Sequence, residues 1–139
     1  NDAGVPTGVL VSPIIPAIND SEVEAIIEAA ANLGAVQAGY IMLRLPHELK
    51  ELFIDWLREH FPDREKRVLT LIRQIRDGKL NTAEFGSRMW GGGPYAEMIK
   101  QRYKLACRRF GLNQRDESWE FNCSLFKVPP RVGDQFELI

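Results

Sequence analysis

The chain predicts an α/β fold, and three observations carry that prediction. A short β-branched run, Val5–Ser12, is followed by an amphipathic helical stretch and then by a second apolar run, Val36–Leu45. Two strands joined by a helix of that length form a βαβ unit, with parallel strands and a right-handed crossover. After Pro46 the apolar period becomes helical and does not change back. With 139 residues the chain is one domain or part of one. Three segments follow: the βαβ part over residues 1–46, a helical extension over 47–111 and an irregular tail over 112–139.

Each element has its own signals. Pro13 closes the first run, and Pro16-Ala-Ile-Asn19-Asp20 reads as a turn-rich loop. Ser21-x-x-Glu24 matches a capping box, and Val23, Ile26, Ile27, Ala30 and Leu33 recur at helical spacing before Gly34, a C′ glycine. Pro46 stops the second run. Leu49, Leu52, Phe53, Trp56 and Leu57 make one helical face; Val68, Leu71, Ile72 and Ile75 make a second, ended by Gly78. A third helix runs from Pro94 to Phe110, with Gly111 as its stop.

Composition narrows the class. Hydrophobic residues make up 45% and charged residues 27%, which excludes disordered and coiled-coil classes. The formal net charge is −1, but it hides a segregation: residues 88–115 hold seven basic groups and one acid, whereas residues 1–57 hold two basic groups and eight acids. Cys107 and Cys123 form neither a CxxC pair nor a disulfide framework, so no metal site is expected and a reducing cytoplasm is the default compartment. No apolar stretch approaches the length of a membrane span, and no membrane association is expected. Beginning at Asn1 in mid-pattern, the chain reads as a processed or excised piece.

Parallel strands are normally buried on both faces in larger sheets, and a pair alone leaves two long apolar edges unpaired, with Val36–Leu45 expected as an exposed edge. The missing strands come either from a larger α/β barrel or from a partner chain. Ligands of parallel sheets sit at the carboxyl ends of the strands, here Ser12-Pro13-Ile14-Ile15-Pro16 and Arg44-Leu45-Pro46. Arg44, a guanidinium closing an apolar strand, requires a carboxylate, phosphate or carbonyl partner, and a structural salt bridge is the simplest one. Asn19 and Asp20 read most simply as an N-cap cluster. Phe85 to Tyr95 is a glycine loop entering a helix with Pro94 at its first turn, so free amides of Gly91, Gly92 and Gly93 are candidates for an anion cradle, against a plain flexible connection. It lacks the Gly-Lys-Ser/Thr ending of a P-loop. Arg88, Lys100, Arg102, Lys104, Arg108 and Arg109, interleaved with Tyr95 and Tyr103, form either a phosphate-backbone track or a solvated helix face. His47 and His60 stand beside no nucleophile, and Cys107 borders the apolar face as a buried thiol.

Taken in order, Val9-Leu-Val-Ser-Pro13-Ile-Ile-Pro16-Ala-Ile-Asn19-Asp20, Met42-Leu-Arg44-Leu-Pro46, Ile72-Arg73-Gln74, Gly78-Lys79-Leu80, Phe85-Gly-Ser-Arg88-Met89, Arg108-Arg109-Phe110-Gly111-Leu112-Asn113 and Ser124-Leu125-Phe126 resemble the C-terminal half of radical S-adenosylmethionine proteins of the spore-photoproduct-lyase-like, or DNA repair photolyase, group. The resemblance implies a partial (β/α) barrel of the TIM type with a helical C-terminal extension. It also implies a [4Fe-4S] cluster that cleaves S-adenosylmethionine to a 5′-deoxyadenosyl radical, with Ser12, Pro13, Ile15 and Arg44 at the cofactor end. Arg88, Gly91, Gly92, Gly93, Arg102, Arg108 and Arg109 are then the candidates for a substrate or anion, nucleic acid among them. Tyr40, Tyr95 and Cys107 have the chemistry of hydrogen-atom donors. The cluster motif Cys-x-x-x-Cys-x-x-Cys is absent, and two isolated cysteines cannot supply its three thiolates. In the family that motif lies upstream, near the start of the barrel, so the expected partner is the N-terminal part of the same barrel and this chain alone is expected to be inactive. The rival expectation is a non-catalytic module that dimerises through its strand edges and binds an anionic partner at the glycine loop.

Overall fold

The computed structural model describes residues 1–114, 123, 124 and 126–129. Most of the irregular tail, and Leu125 of the Ser124-Leu125-Phe126 match, therefore fall outside the described residues. The chain is a mixed α/β structure. In order come β1 (Gly8–Ile14), a short 3-10 turn (Asp20–Glu22), α1 (Val23–Asn32), β2 (Gln37–Met42), α2 (Leu49–His60), α3 (Glu65–Gln74) and α4 (Gly93–Arg109). Among the described residues the sheet has two strands, paired parallel with Gly8 opposite Gln37 and Val11 opposite Tyr40, and an irregularity between Val11 and Ile14. The pairing and the intervening α1 match a βαβ unit.

The helix boundaries follow local chemistry, with one exception. Gly34, Gly78 and Gly111 take positive φ at helix ends, where a Cβ is disfavoured, and Leu112 N–H returns to the Cys107 carbonyl at 2.9 Å as a Schellman-type stop. The Ser21–Glu24 capping box does not form: α1 has no side-chain cap. Asn19 and Glu24 are engaged elsewhere. Asn19 Oδ1 accepts from the Ile15 amide at 2.7 Å and its Nδ2 donates to the Pro13 carbonyl at 3.0 Å, so this side chain fastens the Pro13–Pro16 loop instead of capping the helix. Glu24 pairs with Arg102 of α4.

Burial divides the chain into two apolar clusters. In the first, Val11, Ile14, Tyr40 and Met42 from one face of the sheet meet Val23 and Ile27 of α1 and Ala96, Ile99, Ala106 and Cys107 of α4. Burying each large aliphatic side chain here is worth about 1.5–3 kcal/mol. In the second, Leu43 and Leu45, just beyond β2, meet Leu57 of α2 and Val68, Leu69 and Ile72 of α3. Helices thus cover one sheet face and its carboxyl end. The opposite face is open: Leu10 is 58% exposed, Ser12 is exposed, and Gly39 and Ile41 are half-buried.

The two outer edges of the sheet differ. No described segment pairs with the outer edge of β1, apart from Asn19 at Pro13. On β2, Asn113 substitutes for a neighbouring strand. Its Oδ1 accepts from the Ala38 amide at 2.9 Å, its Nδ2 donates to the Ala38 carbonyl at 3.1 Å, and its own amide donates to Val36 O. Tyr103 Oη also donates to Ala38 O at 2.6 Å, and the Met42 amide donates to Met89 O at 2.9 Å. The expectation of an exposed Val36–Leu45 edge is therefore corrected, because side chains and the loop before α4 seal it.

Candidate functional site

At the carboxyl end of β2 two guanidinium groups lie together without a carboxylate. Arg76, two residues past α3, is 1% exposed. Its Nη1 donates to the Arg88 carbonyl at 2.8 Å and to Ser87 O at 3.3 Å, while Nη2 donates to Leu43 O at 2.8 Å and to Met42 O at 3.4 Å. One buried side chain thereby joins the end of β2 to the segment that precedes α4. Burial, and secondarily the charge of Arg44, pulls its pKa below the ordinary arginine value, yet a guanidinium stays protonated. Arg44 is half-buried and makes one weak contact, Nη1 to Met89 Sδ at 3.7 Å. The Nε atoms of both residues are buried without a partner. The salt bridge expected for Arg44 does not form with any described carboxylate. Such a pair of charges favours an anion beside Arg44.

The Pro13–Pro16 loop is the other strand end. Ser12 sits on the open sheet face, Pro13 is exposed with its carbonyl held by Asn19, and Ile15 donates its amide to Asn19 and packs on the second cluster.

The glycine loop is built differently from a cradle of free amides. Gly91 N–H donates to Ser87 O and Gly92 N–H to Ile75 O at 3.0 Å, so both amides are spent on backbone carbonyls. At Gly91, φ is +73° and a Cβ would lie 3.1 Å from both the Ile75 Cβ and its carbonyl, which makes glycine a requirement there. The loop lies tight against the end of α3 and forms one wall of a cleft of about 500 Å³. Tyr40, Trp90, Gly91, Gly92 and Gly93 line one side and Ala96, Glu97, Lys100, Tyr103 and Lys104 of α4 the other.

The basic residues separate. Lys100 and Lys104 face the cleft. Arg102 instead makes a bidentate pair with Glu24 at 2.7 and 2.6 Å, an inter-helix tie that holds Glu24 below the usual carboxylate range. Arg109 lies 5.2 Å from the Phe110 ring and Arg88 lies 5.1 Å from the Phe85 ring. Arg108 is exposed on α4. Tyr95 is removed from the track as well, donating to Asp20 Oδ2 at 2.6 Å; burial first, and then Asp20, push its phenol up to about 12. Arg88, Arg102, Arg108 and Arg109 therefore do not form one continuous strip with the cleft lysines.

Sequence reasoning missed Arg76 and the cleft. A signal for Arg76 was present: it lies four residues after Ile72, where the apolar stripe of α3 would continue. The cleft required knowing that Tyr40 and Trp90 meet, at a ring-centroid separation of 5.1 Å.

The thiols stand apart, Cys107 buried and Cys123 exposed, and burial raises the Cys107 pKa. Among the described residues no three potential ligands group to hold a metal, and no helix is long and apolar enough to cross a membrane. No family model matches the chain, and no curated protein and no solved structure matches it either.

Proposed function

We propose that this chain is the closing segment of a larger parallel α/β barrel of the radical S-adenosylmethionine type, in which it forms the last wall of the cofactor site. The observation that supports this reading is the asymmetry of the sheet. Among the described residues its β1 edge and one face are open, whereas its β2 edge is covered at Val36, Ala38 and Met42 by Asn113 and Met89. A terminal βαβ unit requires that arrangement: earlier strands add at β1 and none adds beyond β2. The open face, with Leu10 and Ser12, is then the barrel interior. Arg44 is the group on this chain suited to an anionic part of cofactor or substrate, and Asn19 fixes the Pro13–Pro16 loop beside it.

The described residues do not fit the iron-sulfur cluster, so in this reading its thiolates belong to earlier strands. Held by such thiolates, a cluster would supply one-electron reduction at the cofactor site. What this chain contributes is a wall that excludes water, a fixed loop and a positive charge. The test is to read the frame upstream of Asn1, and to express whatever precedes it with this chain under anaerobic reconstitution. A Cys-x-x-x-Cys-x-x-Cys motif and 5′-deoxyadenosine release that falls at least tenfold in Arg44→Ala is the expected result. A start codon next to Asn1 sinks the proposal.

The bare β1 edge also favours a second reading, a binding module that pairs β1 with β1 of another copy. Sedimentation separates the two: a cooperative, well-behaved dimer of the isolated chain supports the module and counts against the barrel.

A further inference from the structure

The cleft between β2 and α4 lies on the sealed side of the sheet, and neither Arg44 nor the Pro13–Pro16 loop lines it. Its volume, about 500 Å³, is that of a site for a small ligand. Three aromatic rings build one part of it. Tyr40 stands between Trp90, at 5.1 Å and 60°, and Tyr103, at 4.7 Å and 50°. Tilted contacts of this kind leave a ring face of Trp90 uncovered, and Trp90 is 46% exposed. The glycine side is flat: a Cβ on Gly92 would meet nothing within 4 Å.

Polarity is placed apart from this aromatic surface. Lys100 and Lys104 stand one helical turn apart, an arrangement in which like charges repel unless a counter-charge is near. Glu97 answers Lys100 at 3.1 Å and also feels the charge of Lys104, which itself forms no ion pair at bonding distance among the described residues. Tyr40 is 4% exposed and lines the cleft, yet its hydroxyl makes no hydrogen bond with any described residue. The ring is buried but the hydroxyl oxygen is not sealed from solvent, so it is a donor and acceptor that a ligand in the cleft can reach.

From these groups we infer that the cleft binds a nucleotide, its planar base against Trp90 and the glycine side, its phosphate at Lys104 and Lys100, and a polar atom at the Tyr40 hydroxyl. A neutral aromatic ligand leaves Lys104 without a bonded counter-charge, and inorganic phosphate leaves the rings unused. Stacking on an exposed indole tolerates any base, so the assignment is to the base-plus-phosphate unit, whether free or at a position in a single strand. It draws on the geometry of this cleft alone and stands independently of the barrel reading.

The test is calorimetric and NMR titration of the 139-residue chain with AMP, adenosine, inorganic phosphate and a single-stranded tetra-adenylate. Saturable AMP binding is expected, about tenfold weaker for adenosine and in Lys104→Glu. Gly92→Val fills the open space from an extended position, φ −135°, and abolishes binding with the fold intact by circular dichroism. Arg44→Ala leaves binding unchanged, which separates this site from the strand end. Equal affinities for AMP and the tetra-adenylate identify a free nucleotide, and tighter tetra-adenylate binding identifies a strand. Absence of saturable AMP binding to the folded chain overturns the assignment, and so does binding that survives both Gly92→Val and Lys104→Glu.

Discussion

The two outer edges of this small sheet face opposite fates. Along β2, the Ala38 and Met42 groups that a further strand would use are taken by one asparagine side chain, one tyrosine hydroxyl and one loop carbonyl. Along β1 nothing comparable exists among the described residues, and the adjoining face leaves Leu10 more than half exposed. Edges of both kinds are built from similarly apolar strands, so hydrophobicity does not decide which edge grows. What decides it is whether the chain supplies polar atoms at the right height, and those atoms come from residues some 50 to 75 positions downstream.

Breaking the sealed edge at its anchor should have the largest effect. Arg76→Met removes donors to four carbonyls at once, frees the Met89 segment from β2, and is expected to cost about 3 kcal/mol in a denaturant melt, with faster exchange of the Met42 amide. If the loss stays under about 1 kcal/mol, the anchor is not Arg76. Opening the same edge from its other end is milder. Asn113→Gly keeps the positive φ of 59° but removes the side-chain bonds to Ala38, for a cost of about 1 kcal/mol and an onset of self-association visible by sedimentation.

The tie between α1 and α4 lies further from the edges and sharpens the contrast through pH. Glu24 has its pKa lowered, first by the hydrogen bond from Arg102, so its contribution is present above the ordinary value of 4.5 and is lost as pH falls through the lowered one. Because both side chains are partly solvent-exposed, the gain is screened to below about 1 kcal/mol. Arg102→Met should therefore reduce stability at neutral pH and flatten the acid limb of the melting curve between those two values; an unchanged limb assigns the acid loss to other carboxylates. The smallest effect belongs to the open side. Leu10→Lys should alter the stability of the chain by less than about 0.5 kcal/mol, yet suppress any pairing or docking at β1, which co-purification or sedimentation reads directly.

How far the residues alone announced this architecture varies by element. The existence of both strands and four helices, and the glycine stops of α1, α3 and α4, follow from period and punctuation, because these depend on neighbours within one or two turns; β1, however, runs through Pro13, its expected stop, to Ile14. The capping box failed since Glu24 found a stronger partner 78 residues away, and the N-cap reading of Asn19 failed since two backbone atoms of the preceding loop claimed its amide. Arg44 was legible as a strand-end cation, but its companion Arg76 was masked by an otherwise ordinary helical stripe. The glycine loop was legible as special for a reason other than the one expected: close contact with Ile75, not free amides, demands Gly91.

The Asn113 seal has a consequence for assembly. Indefinite head-to-tail stacking of parallel sheets needs two complementary edges, one to offer and one to receive. A molecule with a single receptive edge stops after one addition, so any complex formed through this sheet is finite, whether it closes a barrel or pairs two copies. Asn113 thus acts as a terminator for strand addition, and its removal converts a bounded assembly into one able to propagate as a fibre.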